Sequence, residues 1–444
     1  MPEDTSYKLN NVDLGTCLIT REEFDKVYNA TKLSYKRNVL WMWGYLPNDI
    51  DRDGSSGVHM EPRMVTACVL CGVVPAPWKD FHLMWNPTHG PSNRVLDQQG
   101  KMYFWGAASG MITSGANSAT MFGFTSPGIA NSTYQWELCS NVNVPIAISK
   151  LGKDNDVCRA SILIPTDTGT GLTARVWGCG SNGQLGQSCT LNEWRPVLQS
   201  FNAGTSIYNY VSMNEFSCNV CMYSGHAVRG DIGSFYYWGN NNTTRRSIAV
   251  NGSINGLTNN AVDMCASGDT VGVTLTEGPN LLMMSGYNTF GQLGDSTTLN
   301  KFYTANNWVC TNPPLCVRSF SVGRCSTFAV ASNGTMWAWG DNTFGQLGNN
   351  RTVGTSCPVQ NIDKNNNWRY VTTNRFGTAV AALKNDGSLW VWGNVCFLHN
   401  NPSLACVVRS SPVQVGTKKN WVKVGIENSS SSLTYMVGIT EEEL

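Results

Sequence analysis

The dipeptide Trp-Gly returns along this chain at spaced positions, and no other feature limits the fold as strongly. It occurs at Trp43-Gly44, Trp105-Gly106, Trp177-Gly178, Trp238-Gly239, Trp339-Gly340 and Trp392-Gly393, and Ser285-Gly286 is a seventh copy that has lost its Trp. The intervals between these glycines are 62, 72, 61, 47, 54 and 53 residues, a period near fifty with insertions in the first half. A fixed period of this size marks a chain built from stacked supersecondary units. A second string travels with three of the anchors: "WGCGSNGQLGQS" at 177–188, "SGYNTFGQLGDS" at 285–296 and "WGDNTFGQLGNN" at 339–350.

Each anchor closes a stretch that alternates in the manner of a pleated strand, such as "SFYYWG" (234–239), "TMWAWG" (335–340) and "SLWVWG" (388–393). Tight-turn signals precede several of them, at Gln99-Gly100, Asn333-Gly334 and Asn385-Asp386-Gly387, and these tolerate the positive φ that two-residue hairpins need. Upstream of the turn lies a second strand ("TFAVAS", 327–332; "TAVAALK", 378–384), and upstream again a third ("AVDMCAS", 261–267; "NWRYVTT", 367–373; "NWVKVGI", 420–426). A short fourth strand follows the loop, as in "CPVQN" (357–361) and "SPVQV" (411–415). Seven units of four strands predict an all-β chain, a seven-bladed β-propeller whose blades pack face to face. In this frame GQLG is turn chemistry: its glycines serve backbone conformations closed to other residues. Its Leu (185, 293, 347) pins the loop to the blade. It is not a phosphate cradle, because no Gly-x-Gly-x-x-Gly opens a helix and no Gly-Lys-Ser/Thr follows.

"AALKNDGSLWVWG" and "WGDNTFGQLGNN…CPVQ" resemble the repeat of the regulator of chromosome condensation family, which implies the same seven-bladed propeller. The resemblance spans about residues 38–440. It is specific in the last three units and weak in the first two, where "WGYLPNDIDRDGSSG" and "WGAASGMITSGAN" have no GQLG. Function does not transfer with it, since the family ranges from a nucleotide exchange factor on chromatin to ubiquitin-ligase and scaffold modules.

The two ends are incomplete in complementary ways. "NVLWMWG" (38–44) has no partner strands before it, and "NWVKVGIENSSSSLTYMVGIT" (420–440) has no Trp-Gly strand after it. The expectation is a composite blade in which residues 433–440 pair antiparallel with 38–44, removing the open edges that invite aggregation. Two domains follow: an N-terminal arm, 1–37, and the propeller, 38–444. Within the arm, "TREEFDKVYNATKL" (20–33) opens with a Thr20–Glu23 capping box and carries Phe24, Val27, Tyr28 and Thr31 at helical spacing. It reads either as a short helix folded on its own propeller or as an arm that docks on a partner protein.

The 444 residues carry a formal net charge of +1 and only 14% charged side chains, so no strong field steers a polyanion. Basic doublets are few, Lys36-Arg37, Arg245-Arg246 and Lys418-Lys419, against the basic stripe expected of a nucleic-acid binder. The longest apolar stretch, around 67–74, is far short of a membrane span, and "MPEDTSYKLNN" lacks a signal-peptide pattern. The eight Asn-x-Ser/Thr matches, at Asn29, Asn131, Asn241, Asn242, Asn251, Asn333, Asn350 and Asn428, read as by-products of an Asn- and Thr-rich composition.

No catalytic constellation is legible. None of His59, His82, His89, His226 and His399 lies at a recognisable spacing from a nucleophile or carboxylate. Asp49, Asp51 and Asp53 invite a calcium reading, but the acidic residue that would close an EF-hand loop is missing: position 60 is Met. Cys68/Cys71 and Cys218/Cys221 sit in strand-like text, where residues three apart face opposite ways, so no zinc site is expected. No cofactor or metal is expected. Cys139 and Cys265 read as small buried apolar residues. Three further pairs bracket loops: Cys179 with Cys189, Cys396 with Cys406, and Cys310 with Cys316. They are either reduced thiols of a cytoplasmic protein or loop-stapling disulfides of one that works in an oxidising medium.

The expectation for function is a non-enzymatic protein–protein interaction or structural module. Its partners are other proteins within a large assembly, not nucleic acid. The Asn/Gly/Ser/Thr-rich, degenerate repeats also resemble virion proteins of bacteriophages, which would suit cysteine-stapled loops. The alternative, carried by the family resemblance alone, is a guanine nucleotide exchange factor-like regulator of a small GTPase.

Overall fold

The computed structural model describes residues 280–301, 307–395, 408–428 and 434–443 without a break. Elsewhere it describes 8–9, 12–13, 36–46, 57–64, 78–86, 90–98, 100–106, 133–138, 150–151, 153–154, 159–165, 172–178, 193–198, 210–218, 222–229, 234–239, 242–248, 261–267 and 270–275. The chain divides into two compact units, 1–37 with 442–444, and 38–441. In the first, Lys8–Leu9 and Val12–Asp13 form an antiparallel ribbon. The described residues contain no helix, and the segment expected to be helical, 20–33, lies outside them.

The remaining strands are all β and assort into sheets, lettered here along the chain. Sheet A takes Trp421–Asn428, Thr434–Glu443, Lys36–Leu46 and Gly57–Met64, in that order. Sheet B takes Trp78–Asn86, Gly90–Asp97, Met102–Gly106 and Thr133–Leu138. Sheet C holds Lys150–Leu151, Arg159–Pro165, Leu172–Gly178 and Glu193–Leu198. Sheet D begins with Lys153–Asp154, which runs parallel to its neighbour, and continues through Tyr210–Cys218, Met222–Arg229, Ser234–Gly239 and Asn242–Ile248. Sheet E is Ala261–Ser267, Thr270–Leu275, Leu281–Gly286 and Val309–Cys310. Sheet F is Val317–Val322, Ser326–Ala331, Met336–Gly340 and Thr355–Gln360, and sheet G is Trp368–Thr373, Ala379–Lys384, Leu389–Asn394 and Val408–Gln414. The anchor dipeptide always falls on the strand of the Trp-Gly hairpin. That places the loop after it and the turn between the first two meander strands at the same edge of the sheet.

Sheet A joins the two ends of the chain. Gly44 abuts the backbone of Thr434 and Tyr435, while Trp41 Nε1 donates to Thr440 Oγ1 at 2.7 Å, so the two strands run in opposite senses. Adjacent sheets then bury their faces against each other. The E–F core is built from Leu282, Met284 and Leu293 against Val317, Phe320 and Trp339. Between F and G, Phe328, Val330 and Met336 meet Val371, Val380 and Trp392. Ala379, Ala381 and Val391 of sheet G meet Trp43, Val424 and Met436 of sheet A. The second strands of F and G are buried along their whole length. Small Ala and β-branched Val suit them because both faces are covered by neighbours.

Candidate functional site: the GQLG loops and the face they form

The GQLG string holds one sheet to the next. Trp339 Nε1, on sheet F, donates to the Gln292 carbonyl in the loop of sheet E at 2.8 Å. Trp392 Nε1, on sheet G, donates to the Gln346 carbonyl in the loop of sheet F at 2.7 Å. Both indoles are fully buried, as are Leu293 and Leu347 beside the acceptors, so each bond is made where an unpaired N–H would be costly. The second glycine explains itself: a Cβ at Gly294 would stand 2.7 Å from Trp339 Nε1, and one at Gly348 would stand 2.9 Å from Trp392 Nε1. The first glycine, Gly291 or Gly345, lies against Ser356 or Ser410 on the outer strand of the following sheet. All four have positive φ, which side chains rarely accept. The loop is therefore a latch.

An asparagine shapes each latch from inside. Asn288 Oδ1 accepts from the Leu293 amide and Asn342 Oδ1 from the Leu347 amide, both at 2.9 Å. Asn288 Nδ2 then donates to the Thr297 carbonyl, and Asn342 Nδ2 to the carbonyls of Arg351 and Val353. Sequence reasoning saw the glycines and leucines and missed both the asparagine and the tryptophan acceptor. The signal was present, because "NTFGQLG" occurs twice; the 177–188 copy carries Gly180 where the others have Asn. That copy lies outside the described residues beyond Gly178, Leu185 included.

At the same edge the first turns of neighbouring sheets are sewn together. The amides of Arg324 and Cys325 donate to the carbonyls of Arg375 and Phe376, Ser267 Oγ donates to the Arg375 carbonyl at 2.7 Å, and Gln292 Nε2 donates to the Arg324 carbonyl at 3.2 Å. The Arg375 guanidinium lies over the Phe376 ring, 4.7 Å from its centroid. In the loops that follow the third strands of sheets E and F, large apolar side chains face solvent: Phe290 is 49% exposed, Leu299 68% and Val353 75%.

Burial pushes the Cys325 thiol up to about 11; Arg324 opposes the rise and Asp341 adds to it. A thiol so far from ionised is a poor nucleophile. Among the described residues no three of His, Cys, Asp and Glu gather as a metal site, and no helix is long and apolar enough to cross a membrane.

Of the anchor tryptophans, Trp43, Trp339 and Trp392 are fully buried, while the side chains of Trp105, Trp177 and Trp238 are outside the described set. Cys179, Cys189, Cys396 and Cys406 also lie outside it. Cys310 and Cys316 are free thiols, as are Cys265, Cys325 and Cys357. Cys265 is buried, and its sulfur accepts from the Val322 amide at 3.3 Å.

The stretch holding the F latch and its hairpin matches two models of the regulator of chromosome condensation (RCC1) repeat, over residues 317–346 and 333–378. Residues 317–378 are thus similar to the RCC1 repeat. Solved structures of similar fold include human WBSCR16, at 14% identity over 92% of this chain and 100% of that one, with a TM-score of 0.65. Prp20p from Saccharomyces cerevisiae is similar at 13% identity over 94% of each chain, TM-score 0.66. A structure of Kap60 bound to yeast RCC1 (Prp20) matches at 14% identity over 99% of this chain and 96% of the other, TM-score 0.65. At such identity the likeness is one of fold. The RCC1 repeat matches end at residue 378, so the latch of sheet E and the loop after sheet G fall outside them.

Proposed function

We propose that the chain is a non-enzymatic protein-interaction module: a seven-bladed propeller, closed through sheet A, that presents its latch-loop edge to a protein partner. Support for the ring comes from the mixed origin of sheet A and from the anchor strand in each of sheets A to G, Trp-Gly in six and Ser285-Gly286 in sheet E. The observation that carries the function is the pairing of exposed Phe290, Leu299 and Val353 with a loop backbone held by buried Gln292, Gln346, Asn288 and Asn342. Apolar groups fixed in place before binding lose little entropy on contact, which is what a recognition surface needs. A photo-crosslinking residue placed at 290, 299 or 353 should capture a protein partner, and one at Asn333, in the exposed hairpin turn at the opposite edge of sheet F, should not. Phe290→Asp and Val353→Asp should then weaken the purified partner's binding at least tenfold. Equal capture from position 333 would place the contact elsewhere.

A guanine nucleotide exchange factor-like role toward a small GTPase is a second reading. It is favoured by the likeness to Prp20p, whose structure is described with that protein's binding to Gsp1p and histones. Acceleration of nucleotide release from a purified small GTPase decides it. The finer form of the main proposal places the module on a bacteriophage virion. It rests on the Cys179/Cys189 and Cys396/Cys406 loops, and mass spectrometry of purified particles tests it.

A further inference from the structure

Sheet E carries an irregularity absent from F and G. Its fourth strand pairs normally as far as Cys310 opposite Met283. The next ladder contact on the same strand is Leu281, and the residue opposite it is Cys316, not residue 312. Four residues, 311–314, are thus looped out: the Leu315 carbonyl already accepts from the Leu282 amide at 2.9 Å, and the chain is back in register at a second cysteine. Opposed residues in an antiparallel pair share a face, and Leu281 and Met283 are two apart on one strand, so Cys310 and Cys316 project to the same side. Two residues of strand rise set their Cα atoms about 6.5–7 Å apart, at the wide end of the range a disulfide spans, roughly 4.4–6.8 Å.

Both thiols are free and half-buried. Cys310 Sγ donates to Met283 Sδ at 3.2 Å, so it faces sulfur and not a competing oxygen. The loop between them touches the latch: the Asn312 amide donates to the Gly294 carbonyl at 2.7 Å, and Asn312 Nδ2 donates to Ser296 Oγ at 2.7 Å. Gly294 is the glycine on which Trp339 of the next sheet rests.

We propose that Cys310 and Cys316 are a reversible dithiol modification site whose reaction partner is a small-molecule disulfide, and that its oxidised form braces the E–F latch. In the reaction one thiolate attacks a sulfur of the external disulfide, giving a mixed disulfide and releasing one small thiolate. The second thiolate attacks the protein sulfur of that mixed disulfide, forming the Cys310–Cys316 bond and expelling the other small thiolate. Two electrons pass to the small disulfide, and the two protons from the protein thiols leave with the two small thiols.

The test uses the full chain and glutathione disulfide, with non-reducing peptide mapping and hydrogen exchange. A single linked peptide joining Cys310 to Cys316, reversed by dithiothreitol, is expected in the wild type. Amide exchange over 288–296 should slow severalfold in the oxidised form. Cys316→Ser should yield only a glutathione adduct at Cys310 and leave exchange at 288–296 unchanged; Cys310→Ser provides the reciprocal control. Separate glutathione adducts on the two cysteines of the wild type, or linkage of either one to Cys357, would overturn the assignment. So would a Cys310–Cys316 bond that leaves latch exchange unchanged, because the bracing would then be absent.

Discussion

The F–G junction and the G–A junction are built from the same parts, with one difference. In both, a Trp-x-Trp-Gly strand meets a Trp from the first strand of its own sheet: Trp368 lies 6.0 Å from Trp390 and 5.9 Å from Trp392, and Trp421 lies 6.2 Å from Trp41 and 5.4 Å from Trp43. At both, the hairpin glycine of one sheet accepts from the first-strand Trp amide of the next: Trp368 to Gly334 at 3.1 Å, and Trp421 to Gly387 at 3.2 Å. Only the latch differs. Trp392 Nε1 has the Gln346 carbonyl, whereas Trp43 Nε1 has no acceptor among the described residues. The loop that would supply one reads Leu398-His399-Asn400-Asn401 where sheet F has Gly345-Gln346-Leu347-Gly348. Val395, fully buried in the G–A core, replaces the loop-shaping Asn342. Among the described residues the G–A joint shows apolar packing and the hairpin contact, where the F–G joint adds a buried polar latch.

The largest expected effect comes from removing the Thr434–Glu443 strand, which takes from sheet A the element between Trp421–Asn428 and Lys36–Leu46. If the ring is closed, calorimetry of that truncation should show loss of a single cooperative transition, with sheets E to G destabilised as well. Unchanged melting of E to G would break the ring. Next are the anchors: Trp339→Ala and Trp392→Ala should each cost roughly 3–5 kcal/mol in denaturant unfolding, the usual range for buried aromatics. The comparison sharpens with phenylalanine. Trp392→Phe leaves the Gln346 carbonyl without its indole donor and should cost about 1–3 kcal/mol more than Trp43→Phe, whose indole has no acceptor among the described residues. Equal losses would mean the latch adds nothing. Asn342→Ala should cost about 1–3 kcal/mol through the buried Leu347 amide it strands.

The smallest effect is electrostatic. Bonds from the Ser388 hydroxyl and amide, with Lys419 3.3 Å away, hold Asp386 near a pKa of about 2. A folded value below the unfolded one, near 4, makes its contribution complete above roughly pH 4 and lost as pH falls toward about 2. Asp386→Asn should flatten that part of the stability–pH curve and lower the plateau at neutral pH by the contribution it removes.

Sheet membership was legible because Trp-Gly and the hairpin signals are local: the residues that make a strand and its turn are neighbours in sequence. The composite sheet was legible for another reason, since each end lacked what the other had. The latch was not, because its halves, Gln292 with Trp339 and Gln346 with Trp392, belong to different repeats and each looks complete alone. Nothing in "TNPPL" announced that Cys316 would replace residue 312 in the ladder, because a looped-out segment has no periodicity of its own. The helix expected over 20–33 and the loop cysteines 179, 189, 396 and 406 fall outside the described residues.

Each latch points one way along the chain, and that has a consequence for synthesis. The sockets at Gln292 and Gln346 leave the ribosome before the indoles that fill them, so those joints can close as soon as the next sheet emerges. At the seam the order is inverted. Trp43 is made 378 residues before Trp421, and Val424 and Met436, which also cover it, come later still. Until they emerge a large apolar side chain waits without its partners, the kind of surface that draws chaperones or neighbouring nascent chains. Among the described residues this joint relies on packing and the Gly387–Trp421 contact, with no latch bond of the Gln346–Trp392 kind, and packing of this sort tolerates such a wait.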